Sequence, residues 1–362
     1  MTNPTQQLHE AGQSLWLDSI SRDLLDSGTL SSYITELSLT GLTSNPTIFE
    51  HALANSHDYD EAIRAGMTDD LSGEELFFEL ALRDLREAAD LFAPAHLASD
   101  GVDGWVSLEV SPRLSHDAPA TLDQAKILHS RADRDDLFIK IPGTVEGAKA
   151  IEECIAAGIP VNVTLLFSPE HYQQAAEAYL RGIERRVAAG QDPVVGSVAS
   201  MFISRWDTEV AERVEPGLQD RLGIAVAGKI YRRYRELLAS PRWQRLAAAG
   251  ARPQRLLWAS TSSKSPDASD VLYVSALAAP DTINTMPEKT LLAFADHGQV
   301  SSMLPADGGD SEHVLGEFTR AGIDLDELGA TLQAEGEQSF NDSWDSLLHR
   351  IKDHTRRLAG TR

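Results

Sequence analysis

Basic charge is scarce in this 362-residue chain, where 32 lysines and arginines face 55 aspartates and glutamates for a formal net charge of −23. A field of that sign excludes nucleic acid and an anionic membrane as partners, because both carry the same charge. Apolar runs are short, and none approaches the ~18 residues that a membrane-spanning helix needs. Cysteine is nearly absent, and with Cys154 alone no internal disulfide can form. Cys154 falls in a helical pattern, which reads as a small packing residue rather than a nucleophile. The eleven histidines are scattered, without His-x-x-x-His spacing or a strand-end cluster, so no metal and no cofactor are expected. No Gly-x-Gly-x-x-Gly follows the first apolar run, which removes support for dinucleotide binding. The stretch from Met1 to Gln7 lacks the basic start and apolar core of a signal peptide, so a cytoplasmic protein is expected.

What is present is an ordinary globular composition, 42% hydrophobic and 24% charged, on a chain long enough to bury a large core. Its organising stretch is Asp135-Asp136-Leu137-Phe138-Ile139-Lys140-Ile141-Pro142-Gly143-Thr144. An apolar run between acids and a Pro-Gly turn predicts a short buried strand, with Lys140 near its end. Two readings of Lys140 stand open on this stretch alone. A lysine can snorkel from a strand end into solvent; held against apolar walls, its charged form is disfavoured and the free amine becomes a nucleophile.

Seven further strands are predicted, at Leu15–Ile20, from Gly41, at Gly104–Pro112, Pro160–Phe167, Pro193–Ser200, Arg255–Thr261 and Thr282–Pro287, the last being the weakest pattern. Helical segments alternate with them: Ser21–Leu37, Thr121–Arg131, Val145–Ala157 closed by Gly158, and one opened by Ser168-Pro169. An amphipathic insertion begins at Ser72, where Ser72 and Glu75 form a capping box. From Glu312 onward the chain reads as polar helix, with Trp344, Leu347, Leu348 and Ile351 on one face, expected to pack outside the body. Strand–helix alternation without Asn-Gly hairpin signals predicts parallel βαβ units. Eight of them favour a (β/α)8 TIM barrel with additional helices between strands two and three and at the C-terminus, over an open doubly wound sheet. Residues 1–362 are expected to form a single barrel domain, with a helical C-terminal extension from about 310.

In such a barrel the strand ends meet at one face. Asp18, Asn45, Glu109, Lys140, and Asn162 with Thr164 stand at the ends of strands one to five. An amine with two carboxylates and neutral hydrogen-bonding groups suits Schiff-base chemistry on a polyhydroxy carbonyl compound. Cleaving a carbon–carbon bond beside a carbonyl leaves a carbanion, and a protonated imine on Lys140 is the electron sink it needs. Proton transfers during imine formation and at the substrate's C4 hydroxyl call for two carboxylates, and Glu109 and Asp18 fit. A bland explanation exists for each residue alone. Asp18 reads equally as a helix N-terminal acid, Asn45 before Pro46 as a turn former, and Asn162 and Thr164 as partners of strand-end backbone. Arg205 reads as a partner of Asp207 or another surface acid, Phe202 as core or lid packing, and Lys264 as a solvated cation. Glu109 in an apolar strand needs a cation nearby, for which Lys140 is the obvious choice.

Trp16-Leu17-Asp18, Gly41-Leu42-Thr43-Ser44-Asn45-Pro46-Thr47-Ile48-Phe49, Ser107-Leu108-Glu109-Val110, Phe138-Ile139-Lys140-Ile141-Pro142-Gly143-Thr144 and Asn162-Val163-Thr164-Leu165-Leu166-Phe167-Ser168 together resemble the motifs of the transaldolases. The insertion and extended C-terminus resemble the longer bacterial branch, similar to the transaldolase portion of transaldolase–isomerase fusions. The resemblance implies that Lys140 forms the Schiff base with a ketose phosphate. It implies that Asp18 is the base and acid at the C4 hydroxyl, and that Glu109 moves protons through a water held by Thr164. Asn45 and Asn162 would bind substrate hydroxyls, Ser200 and Arg205 the phosphate, and Phe202 would shape the site. Shorter members carry a second phosphate-binding arginine after strand seven. Here that loop offers Ser262 and Lys264, a point cation without arginine's fork.

The implied reaction moves a dihydroxyacetone unit from fructose 6-phosphate or sedoheptulose 7-phosphate to glyceraldehyde 3-phosphate or erythrose 4-phosphate, in the non-oxidative pentose phosphate pathway. The expected partners are sugar phosphates, with the chain a monomer or homodimer. A Schiff-base aldolase releasing the three-carbon product and a non-catalytic sugar-phosphate sensor are the alternatives.

Overall fold

Alternation along a strand gives it two faces, and in this chain both are buried. The computed structural model describes residues 3–54, 57–68 and 71–360, and Met1 and Thr2 of the N-terminal stretch lie outside them. Its strands are β1 (Gln13–Asp18), β2 (Leu39–Thr43), β3 (Val106–Glu109), β4 (Leu137–Pro142), β5 (Val161–Leu166), β6 (Ser197–Phe202), β7 (Arg255–Ala259) and β8 (Thr282–Met286). They pair in the order β2-β1-β8-β7-β6-β5-β4-β3, all in parallel. The ring closes between β2 and β3 through a parallel bridge of Gly41 with Trp105, where Leu42 N–H donates to the Trp105 carbonyl at 2.9 Å. This is a (β/α)8 barrel, with the helices Pro46–Ala54, Asp60–Thr68 and Gly73–Ala98 inserted between β2 and β3.

The two faces make two apolar layers. Outward residues such as Leu17, Leu108, Ile139, Val163, Ala199 and Trp258 pack in the large cluster under the helices. Inward residues Trp16, Trp105, Phe138, Val198, Leu257 and Ile283 form a separate cluster inside the barrel. Gly41 makes room for it, since a Cβ there would meet the Trp16 indole at 2.6 Å. Because the side-chain period is two, the next inward residue on each strand lies one layer nearer the C-terminal mouth. On β7 that residue is Ala259, but elsewhere polar side chains occupy the layer: Asp18 after Trp16, Lys140 after Phe138, Ser200 after Val198, and Thr285 after Ile283.

Several boundaries differ from expectation for local reasons. The segment Ser21–Leu37 forms two helices, Arg22–Asp26 and Thr29–Glu36, broken at Gly28 with φ 77°. After Asn45, which reads as a turn former, the chain is helical at once from Pro46, since proline's missing N–H costs nothing in a first turn. β6 begins at Ser197, after the irregular stretch 193–196, so Ser200 and Phe202 lie within the strand. The N-terminal helix Pro4–Glu10, capped by Asn3, was not foreseen. Other punctuation matches: Ser72 and Glu75 form the capping box, Ser168 caps the helix Pro169–Ala188, and Gly158 ends Val145–Ala157 at φ 84°.

The largest difference concerns the chain's end. Trp344, Leu347 and Ile351 are buried, with Leu348 partly so, but the helix Leu325–Gly360 does not simply coat the outside. Gln333 Nε2 donates to the Leu165 carbonyl at 2.9 Å, Thr47 Oγ1 to Ser343 Oγ at 2.8 Å, and Arg350 Nε to Glu50 at 2.8 Å. Leu165 lies near the C-terminal end of β5, and Thr47 and Glu50 follow β2, so the helix crosses the C-terminal mouth of the barrel.

Candidate active site

Parallel pairing places Glu109 on β3 opposite Lys140 on β4, and Lys140 opposite Asn162 on β5. Lys140 Nζ lies 3.3 Å from Glu109 Oε2, with the two side chains 6% and 3% exposed, and it donates to the Ser44 carbonyl at 3.1 Å. Lys140 is therefore buried and does not snorkel into solvent. Across the ring, Asp18 Oδ1 accepts from Thr43 Oγ1 at 2.8 Å, and Thr43 Oγ1 lies 2.9 Å from Thr285 Oγ1. Burial outweighs the nearby Lys140 cation at both carboxyls. It holds Asp18 above the usual aspartate range, against the pull of Lys140 and the Thr43 hydrogen bond. It raises Glu109 to about 7, again against Lys140.

Asn162 sits in a hydrogen-bonded row. Ser200 Oγ donates to its Oδ1 at 2.7 Å, and its Nδ2 donates to Ser107 Oγ at 3.2 Å. Thr164 stands one layer up, where the β5–β6 register slips between Val163 and Leu166 and Leu165 adopts φ 57°. A non-glycine residue in the left-handed region stores backbone strain, and such positions concentrate at functional sites. Apart from the Lys140 ion pair, the Glu109 carboxylate and the Thr164 hydroxyl have no hydrogen-bond partner among the described residues.

Above this layer opens a cavity of about 500 Å³ lined by Asp18, Asn45, Lys140, Thr164, Ser200, Phe202, Arg205, Ser262 and Lys264. Nine of the eleven residues read from the sequence thus share one space, while Glu109 and Asn162 lie beneath it in contact with Lys140 and Ser200. Asn45 lines the cavity, and its Oδ1 caps the following helix by accepting from Ile48 N–H at 3.0 Å, a bond that uses the amide's oxygen and none of its two N–H donors. Arg205, on the short helix Ser204–Val210, is exposed. It does not pair with Asp207, whose carboxylate instead accepts from Leu222 N–H, Gly223 N–H and the Tyr273 hydroxyl. Lys264 is exposed and donates to Ser262 Oγ at 3.1 Å. The cavity's cationic rim is thus Arg205 from the β6 side and Lys264 from the β7 side.

The structure adds residues that sequence reasoning passed over. Thr43 stands two residues after Gly41, so period-two counting could have found it, as it could have found Thr285 after Ile283. Ser339 and Phe340 from the C-terminal helix also line the cavity, with the Phe340 ring centroid 5.7 Å from Lys140 Nζ. Nothing local to a helix some 200 residues away signals that contact.

A buried amine between two carboxyls held toward their neutral forms, beneath a polar cavity with cations at its rim, can attack a carbonyl, exchange protons with the adduct and hold an anionic tail. A family model described as transaldolase/fructose-6-phosphate aldolase matches residues 15–351. A protein from Frankia alni named transaldolase is 45% identical over 360 residues, covering 97% of each chain. Another of that name from Acidothermus cellulolyticus is 46% identical over 355 residues, 96% of this chain and 95% of the relative. A third, from Thiobacillus denitrificans, is 44% identical over 357 residues, 96% and 99% of the two chains.

Proposed function

The chain belongs to the transaldolase/fructose-6-phosphate aldolase family, and from that premise we propose how it carries out the transaldolase reaction. Lys140 attacks the ketone of a ketose phosphate such as fructose 6-phosphate or sedoheptulose 7-phosphate. Glu109 supplies and removes protons while the carbinolamine loses water to become an iminium ion. A carboxyl that titrates near neutral pH suits this task, because it both gives and takes a proton at low cost. Thr164, buried with hydrogen-bonding capacity to spare, positions the water that passes the proton.

Asp18 then takes the C4 hydroxyl proton. The C3–C4 bond breaks, its electron pair moves into the iminium, and an aldose phosphate leaves. The three-carbon unit stays on Lys140 as an enamine, held by Asn45 and Asn162. An acceptor aldose phosphate, erythrose 4-phosphate or glyceraldehyde 3-phosphate, enters and the steps reverse. Arg205 and Ser200 hold the phosphate, Phe202 shapes the wall, and Lys264 with Ser262 serves as the second phosphate contact.

The observation that carries this reading is the buried Lys140–Glu109 pair, 3.3 Å apart, with Asp18 in the same cavity wall. The relatives' shared name favours transfer over release. On this reading the enzyme acts in the cytoplasm, in the non-oxidative pentose phosphate pathway, as a monomer or homodimer. Among the described residues no helix is long and apolar enough to cross a membrane. Residues 1–362 act as one barrel domain with a helical extension from about 310, which the contacts of Gln333, Ser343 and Arg350 with the barrel support. The deciding experiment is borohydride reduction in the presence of fructose 6-phosphate, followed by peptide mapping. A three-carbon or six-carbon adduct on Lys140 is expected; an adduct on another residue, or none, refutes the mechanism.

A further inference from the structure

The C-terminal helix bears an unusual stripe where it crosses the barrel mouth. Gly329, Gln333, Gly336 and Phe340 recur at helical spacing, so they share one face. Glycine inside a helix costs about 1 kcal/mol against alanine, and the two here lie where the helix approaches most closely. A Cβ on Gly336 would come 3.0 Å from Leu165 Cδ2, and one on Gly329 would come 3.1 Å from Ser168 Cβ and 3.2 Å from the Trp206 ring. Between them Gln333 Nε2 joins two strand ends, donating to the Leu165 carbonyl at 2.9 Å and the Gly143 carbonyl at 3.3 Å. Leu165 is the left-handed residue beside Thr164, and Gly143 follows the strand that carries Lys140.

The stripe therefore docks on the two strand ends that carry the reactive groups. One turn beyond, it delivers Phe340, 7% exposed, with its ring 5.7 Å from Lys140 Nζ. Phe340 is the large apolar side chain that this helix adds to a cavity otherwise rich in hydroxyls, amides and charges.

Resting on the Schiff-base reading above, we infer that Phe340 determines the fate of the enamine on Lys140. That intermediate has two outlets. Its electron pair can form a carbon–carbon bond to an acceptor aldehyde, which is transfer. Alternatively the same carbon takes a proton from water and the resulting iminium is hydrolysed, which frees the Lys140 amine and releases dihydroxyacetone. The Phe340 ring keeps bulk water from the Lys140 side of the cavity while the mouth between Arg205 and Lys264 admits the acceptor. A single apolar group removed from such a wall changes discrimination by about tenfold or more.

The test compares wild type with Phe340→Ala and Phe340→Leu, supplying fructose 6-phosphate with and without erythrose 4-phosphate. Dihydroxyacetone release and sedoheptulose 7-phosphate formation are both measured. For Phe340→Ala the ratio of release to transfer should rise about tenfold. Phe340→Leu, which keeps an apolar cover and the helix packing, should fall between it and wild type, and answers for the site if the alanine variant does not fold. Borohydride trapping of each protein separates the two ideas. A normal Lys140 adduct with an unchanged ratio in both variants overturns the role of Phe340 and leaves the mechanism standing. Absence of a Lys140 adduct in wild type overturns the mechanism and this inference with it.

Discussion

Replacing Glu109 by glutamine keeps the side chain's size and removes its titration, and the structure predicts how stability should respond to pH. Burial lifts this carboxyl from the ordinary glutamate value of 4.5 to about 7, even with Lys140 opposing. Between those two values the native protein keeps a proton that the unfolded chain has released. The unfolded state then binds fewer protons, so wild-type stability falls as pH rises through that window and levels off above about 7. Moving one carboxyl by that much corresponds to roughly 3 kcal/mol, at about 1.4 kcal/mol per pH unit. The glutamine variant lacks this loss. Urea unfolding of both proteins at pH 5 and pH 8 should therefore show the stability difference shifting toward the variant by roughly 2.5 kcal/mol, since part of the loss already falls below pH 5. At pH 5 native Glu109 is neutral and glutamine resembles it, whereas at pH 8 the wild-type carboxylate is ionised, and the pull of Lys140 on it is already contained in the value of about 7. Turnover gives a second reading: kcat should fall by about 100-fold or more, and the ionisation near neutral pH should vanish from the residual rate profile. A stability difference that does not vary with pH, or a glutamine variant with wild-type kcat, would refute the reasoning.

Other outcomes follow from neighbouring contacts. Lys140→Met should give a folded protein without turnover and without a borohydride adduct; circular dichroism with a coupled assay checks both. Arg205→Ala should raise KM for fructose 6-phosphate by about tenfold or more while leaving the rate with unphosphorylated fructose unchanged, and equal losses on both donors would remove Arg205 from the phosphate site. Thr43→Val removes the hydrogen bond that favours ionised Asp18. The acidic limb of its kcat/KM profile should move to higher pH, because Asp18 would then take its proton more readily, and an unmoved limb would show that Asp18 does not govern it.

How much was legible depended on whether a residue's neighbours in space were set by the strand pattern. Lys140, Asp18 and Thr164 were readable because each interrupts an apolar strand toward its C-terminal end, and strand ends of a parallel barrel converge, whereas Asn162, expected at a strand end, is second in β5 and lies one layer deeper. Glu109 was readable through cost: a carboxylate at that depth needs a cation, and register brings Lys140 opposite it. β6 was misplaced by four residues at its start, since Pro193 and Val194 look strand-like although 193–196 is irregular. Thr43 and Thr285 were missed even though counting by two from Gly41 and Ile283 reaches them. Lys264 was legible only as a charge after β7, and its hydrogen bond to Ser262 belongs to the loop's folded shape.

The amino-acid sequence by itself determined the repeated strand–helix unit, the caps at Ser72, Gly158 and Ser168, and most of the polar side chains at the strand ends, because these follow from spacing along the chain. Only the tertiary structure decided that the C-terminal helix crosses the mouth, that Gly329 and Gly336 let it settle there, and that Phe340 reaches Lys140. Those facts depend on where a helix packs after the barrel has closed, and local spacing carries no information about contacts made across such a distance in sequence.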